Sequence, residues 1–273
     1  MTQNSRMSSA AKRSAPPGPA PAVTYFEQPL NERLRTFLRL EFLYRQLRNH
    51  LEQTSTWDSR AVLTGMLDII AILSRGDVRS DVLKELERQL VLYDQLQHQP
   101  QVDDRRLKSV LRNLRTCREQ LVRLGPQYLF ALRENEFLNA VKHRSAIPGG
   151  TCEFDLPDFT HWLRQPYERR RADAEQWLEG LRALCEGVAE LLWLMREAGQ
   201  SSRPTAVNGV YQCNLNRRVS NNLLRVGLPV SAMAYPEISA SHHRFTIRFM
   251  QWSGINSRPV QIRGNVEFDL QIC

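Results

Sequence analysis

The stretch Arg244-Phe245-Thr246-Ile247-Arg248-Phe249-Met250 decides how the C-terminal part of the chain folds. Its polarity alternates residue by residue, the period of an extended strand. Neighbouring side chains of a strand point to opposite faces, so Phe245, Ile247 and Phe249 face a core while Arg244, Thr246 and Arg248 emerge together. Residues i and i+2 stand about 7 Å apart, at about 3.3 Å rise each. Two guanidinium groups held that close are mildly unfavourable unless something offsets them. Acids on another strand, such as Glu267 and Asp269, would do so, and so would an anionic partner. The sequence leaves both open.

The same pattern extends to either side. Residues 205–215, 223–228, 243–250 and 260–272 are rich in Val, Ile, Phe and Tyr and are separated by Gly, Pro, Asn and Ser. Their connections are too short for crossover helices, which predicts antiparallel strands. Upstream the period becomes helical. Leu34, Phe37, Leu38, Phe42 and Leu47 form one stripe behind a cap at Asn31. A second helix starts near Asp58 and stops at Gly76, a third is capped by Ser80, and a fourth by Asp103 or Asp104. Further helical spacing appears around Phe137 to Val141, around Trp162, and from Leu181 to a stop at Gly199. The expected fold class is α+β, with an N-terminal helical bundle domain over 23–200 and a mainly antiparallel β domain over 201–273. Residues 1–22 hold Pro16, Pro17, Pro19 and Pro21 with basic residues and no acid, and are expected to form a disordered basic tail.

The 273 residues are 42% hydrophobic, enough for a sizeable core. No apolar run reaches the about 20 residues of a membrane span, and no signal peptide is recognisable, so a cytoplasmic location is expected. Five cysteines lie singly, without metal-binding spacing, and are read as reduced and structural. The net charge is +8 and only four of the 37 basic residues are lysine. Arginine's fixed fork suits carboxylates and phosphates, which points to an acidic partner, protein or nucleic acid, unless the excess only reflects codon usage.

No nucleophile elbow, Walker loop, dinucleotide fingerprint or zinc-protease motif is present, so the chain is read as non-catalytic, with no cofactor and no metal. Gly149-Gly150 lacks the lysine and hydroxyl of a phosphate loop and reads as a turn. His242 and His243 point to opposite faces if they lie in a strand, and so do not share an ion. On the first helix, Arg35 and Arg39 are four apart on one flank. Further basic charge is available from Arg133, Lys142, His143, Arg144 and His161.

Several blocks together resemble the ZapD family of cell division proteins. They are Phe26-Glu27-Gln28-Pro29-Leu30-Asn31-Glu32-Arg33-Leu34-Arg35-Thr36-Phe37-Leu38-Arg39-Leu40-Glu41, Leu83-Lys84-Glu85-Leu86-Glu87-Arg88-Gln89, and Ile147-Pro148-Gly149-Gly150-Thr151-Cys152-Glu153-Phe154-Asp155-Leu156-Pro157. Asn208-Gly209-Val210-Tyr211-Gln212 and the strand 244–250 complete the set. The resemblance implies a helical domain joined to a β domain, a symmetric homodimer, and binding to the C-terminal tail of FtsZ through a basic surface. It also implies crosslinking and bundling of FtsZ protofilaments to stabilise the Z-ring, with recruitment to the division site at midcell. Carried onto this sequence, the basic surface comprises Arg39, Arg133, His161, Arg244 and Arg248 and, less closely matched, Arg75 and Arg263. The proline-rich tail and Arg217 and Arg218 have no counterpart in that pattern. The alternative is a nucleic-acid-binding protein using the same basic surface.

Overall fold

A computed structural model describes residues 22–97, 103–216, 221–241 and 243–273. The expected tail (all but Ala22), Arg217, Arg218 and His242 lie outside the described residues. The fold is α+β, with helices through the first two-thirds of the chain and antiparallel strands toward the C-terminus.

The chain enters the bundle through α1 (Glu32–Leu51), where Asn31 Oδ1 accepts a hydrogen bond from Leu34 N at 2.8 Å. Leu34, Phe37, Leu40, Leu47 and Leu51 are buried. Phe42, expected in the same stripe, is 65% exposed. Five residues on from Phe37, it lies about 140° round a helix of 3.6 residues per turn. Next come α2 (Thr56–Leu73), capped by Ser55, and α3 (Val78–Leu96). The cap of α3 is Asp77 rather than the expected Ser80, whose hydroxyl instead donates to Asp77 at 2.6 Å. Asp103 caps α4 (Asp104–Leu124), which stops at Gly125 in the left-handed region, φ 69°. Three short helices follow, α5 (Phe130–Arg133), α6 (Glu136–Ser145) and α7 (Pro157–Leu163). The 32-residue α8 (Tyr167–Ala198) then packs against α1, α2, α3 and α4, and its Leu181, Val188 and Leu191 sit in the main core with Phe37, Met66, Ile69, Leu86 and Leu114.

Two antiparallel sheets enclose a second core. One has the order β1 (Val23–Pro29), β5 (Leu223–Pro229), β10 (Asp269–Ile272), β2 (Gln200–Ser202). The other runs β4 (Val210–Asn214), β7 (Arg244–Gln251), β6 (Ala234–Ala240), with β8 (Val260–Gln261) also paired to β7. A small pair joins β3 (Thr205–Ala206) to β9 (Val266–Glu267). Leu224, Val226, Leu228 and Leu270 of the first sheet meet Phe245, Ile247 and Phe249 of the second around Phe268. The single strand expected over 205–215 is broken at Asn208 and Gly209, whose φ of 52° and 71° turn the chain sharply. The strand expected over 260–272 is likewise divided into β8, β9 and β10.

Val23–Pro29, which the sequence places with the helical part, is a full strand paired along its length with β5. It brings Glu27 to the junction of bundle and sheet. Arg196, from the last turn of α8, donates to both oxygens of Glu27 at 2.8 Å and to both oxygens of Glu41 on α1 at 2.6 and 2.7 Å. Arg225 of β5 reaches Glu27 at 2.9 Å and stacks over the Tyr25 ring at 4.4 Å. Burial alone raises the pKa of Glu27, but hydrogen bonds and charge from Arg196 and Arg225 outweigh it and hold the carboxyl below its ordinary value. The Asn31 amide closes the same junction, donating to Asn222 Oδ1 at 3.0 Å.

Candidate functional site

The seven basic residues fall into two groups and two outliers. On β7, Phe245, Ile247 and Phe249 are buried and Arg244 and Arg248 stand exposed on the opposite face, as the alternation predicts. The acid that answers Arg248 is Glu237, its cross-strand partner on β6, at 3.0 Å. Glu267 and Asp269 do not take that role; Asp269 binds Arg203 at 2.9 Å. β6 escapes the sequence reading because Pro236 interrupts its pattern. A proline is tolerated there because β6 is an edge strand, where a missing N–H costs no ladder bond. Both members of the Arg248–Glu237 pair are exposed, so the pair is worth about 0–1 kcal/mol and yields easily to a better acid. Arg244 lies opposite Asn214 on β4 and makes no ion pair among the described residues.

The second group gathers at one end of the bundle. Arg39 of α1 and Arg75, in the turn between α2 and α3, line one groove of about 280 Å³ with Arg33, Glu32, Asp77 and Asp81. Arg75 also lines an adjoining hollow of about 550 Å³ with Arg133, Phe130 and Glu134. Three arginines far apart in sequence are thereby neighbours. Arg35 does not act as the twin of Arg39, because Glu32 binds it at 3.1 Å, whereas Arg39, Arg75 and Arg133 have no ion pair among the described residues. The acids sharing the groove make it mixed in sign; Ser80 hydrogen bonds hold the Asp77 carboxyl below its usual range.

His161 of α7 is exposed, its Nε2 3.0 Å from the Gln165 side-chain nitrogen, and among the described residues no hydrogen bond or ion pair joins it to either group. Arg263 follows β8 and is exposed and without an ion pair among the described residues. Cys185 and Cys117 are drawn into the bundle, where burial pushes their thiols up to about 12 and about 11, protonated and unreactive. Among the described residues, no three His, Cys, Asp or Glu side chains come together to hold a metal ion, and no helix is long and apolar enough to cross a membrane.

Fold and surface define an α+β protein with open grooves at one end of its bundle and, on both bundle and sheet, exposed arginines without an ion pair among the described residues. The chain belongs to the ZapD family, whose model, described as a cell division protein, matches residues 38–248. A relative from Methylococcus capsulatus named "Cell division protein ZapD" is 40% identical over 249 residues, covering 91% of this chain and 97% of the relative. Relatives with the same name from Ralstonia pickettii and Aromatoleum aromaticum are 38% and 34% identical, covering 91% and 93% of this chain and 98% of each relative. The family gives this chain a role in cell division.

Proposed function

We propose that the chain binds the C-terminal tail of FtsZ through its basic surface and, as a homodimer, crosslinks and bundles FtsZ protofilaments at midcell. The observation that carries this reading is that Arg39, Arg75 and Arg133, distant in sequence, meet at one end of the bundle, and that they and Arg244 are exposed without an acid partner among the described residues, as Arg263 also is. Most other arginines of the fold are paired, as Arg33, Arg88, Arg196 and Arg225 are. An unpaired guanidinium is free to take a carboxylate from an acidic tail. A twofold dimer offers every such surface twice. Each contact then needs only modest strength, since a tethered second site works at roughly millimolar effective concentration.

Sedimentation of FtsZ filaments with the Arg39→Glu/Arg244→Glu variant tests the proposal. Bundling is expected to disappear while the circular dichroism spectrum is retained. Wild-type bundling by the folded variant overturns the assignment of this surface, and a monomer at all concentrations in analytical ultracentrifugation overturns the crosslinking. The nucleic-acid alternative has less support, because the burial of Phe245 and Phe249 leaves them unavailable for base stacking.

A further inference from the structure

Residues 147–157, between α6 and α7, form a loop fastened at many points. Gly149 has φ 72°, and a Cβ on Gly150 would lie 2.3 Å from the Arg144 carbonyl oxygen, so both positions require glycine. The backbone folds on itself through Gly150 N to Ile147 O at 2.9 Å, Cys152 N to Gly149 O at 3.0 Å and Leu156 N to Cys152 O at 3.1 Å. Three arginines pin it from outside. Arg60 of α2 donates to the Thr151 carbonyl at 3.0 Å, Arg144 of α6 reaches Asp155 at 3.5 Å, and Arg164, just past α7, reaches Glu153 at 3.4 Å.

This framework holds Phe154 out in solvent, 86% exposed, with Ile147 half exposed at the start of the loop. Beside it, Arg60 lies 5.6 Å from the ring of Trp57, itself 76% exposed, and 4.7 Å from the buried ring of Phe159. Arg60, which holds the loop at Thr151 and faces the Trp57 ring, ties the two together, and exposed large apolar side chains on so anchored a backbone mark an interaction surface. The charges around them indicate the partner. Glu153 and Asp155 are already neutralised by Arg164 and Arg144, whereas Arg60, Lys142 and His143 have no acid among the described residues. A second copy of this chain would bring to the face the same surplus of cations, with Glu153 and Asp155 already paired, and so a net like-charge repulsion whichever residues the twofold sets opposite. An acidic segment meets no such repulsion.

We propose that Phe154 and Trp57 are apolar anchors that seat a large apolar side chain of an acidic peptide, whose carboxylates go to Arg60, Lys142 and His143. This rests on the FtsZ reading above and specifies how the tail is held: by aromatic burial as well as by arginines. His161, one turn before Arg164 on α7, flanks the same loop, which gives that outlying residue a place in binding.

The test is a fluorescence-anisotropy titration of a labelled FtsZ tail peptide with the full chain. Phe154→Ser/Trp57→Ser is expected to raise Kd about tenfold, the scale of losing a buried aromatic contact, while Phe154→Leu restores most of the affinity. Both side chains are exposed, so the thermal midpoint should hold, and its retention is checked. Unchanged Kd for the folded double variant overturns the anchor and leaves the arginine reading standing. Absence of binding by the wild-type chain overturns both. A double variant that turns monomeric in ultracentrifugation, with unchanged affinity per chain, assigns the face to a second copy and also overturns the proposal.

Discussion

At the residue scale, the pattern around Asn208-Gly209 has a direct physical cause. Gly209 sits in the left-handed region, and a Cβ there would lie 2.2 Å from the Ile262 carbonyl oxygen. The tight turn lets the segment after β8 continue along the same edge of β7 that β4 occupies, with Ile262 N donating to Phe249 O at 2.9 Å. Gly209→Val therefore combines a backbone penalty with a steric one. A loss of at least about 2 kcal/mol is expected in urea denaturation. The alternation of Arg244 to Met250 was legible because a strand's faces follow from backbone geometry alone. The acid facing Arg248 was not, because cross-strand neighbours depend on which strands pair.

At the element scale, helices were read well where apolar spacing is long and regular, and their ends less well. Asp77 and Ser80 are both competent caps, and their spacing places each within reach of the other. The structure selects Asp77, which accepts from Ser80 N at 3.1 Å, and reduces Ser80 to a donor. Asp77→Ala is expected to cost about 1 kcal/mol, the usual loss of an N-cap, and Ser80→Ala less than about half of that. Urea midpoints of the two variants compare them directly, and the reverse order would make Ser80 the cap. Three strands were missed for different reasons, β2 because its three residues are too short for a period to show. β6 contains Pro236, which only an edge position tolerates, and β1 precedes a strong helix from which its seven residues do not separate by pattern.

At the scale of the whole molecule, bundle and sheet are joined through Arg196, Glu27, Glu41 and Arg225. Arg196→Met leaves two largely buried carboxylates without their main cation, and is expected to cost about 3 kcal/mol, the lower end for breaking a buried pair. The same cluster sets a pH dependence. Because the folded pKa of Glu27 lies below its ordinary 4.5, its contribution to stability is present above that value and is lost as pH falls through the lower folded one. Wild-type stability is expected to fall between about pH 5 and pH 3 more steeply than that of Glu27→Gln, measured by chemical denaturation across that range. Equal slopes would show that the junction does not couple to protons. Basic residues scattered from Arg39 to Arg133 become neighbours only because α1, the turn after α2 and α5 meet at one end of the bundle.

Local geometry is written in short-range sequence. The periods of helix and strand, the α+β division, the outward arginines of β7 and the turn at Gly149-Gly150 all follow from backbone sterics and the separation of apolar from polar side chains, whereas the turn at Asn208-Gly209 inside an expected strand did not show. Tertiary structure alone decided that residues 23–29 join a sheet whose other strands lie about two hundred residues away. It also decided that Glu237 answers Arg248, that Phe42 faces water, and that a glycine-rich turn holds Phe154 outward. Those outcomes turn on which distant surfaces bury one another, and the free energy of such contacts belongs to the pair of surfaces rather than to either segment.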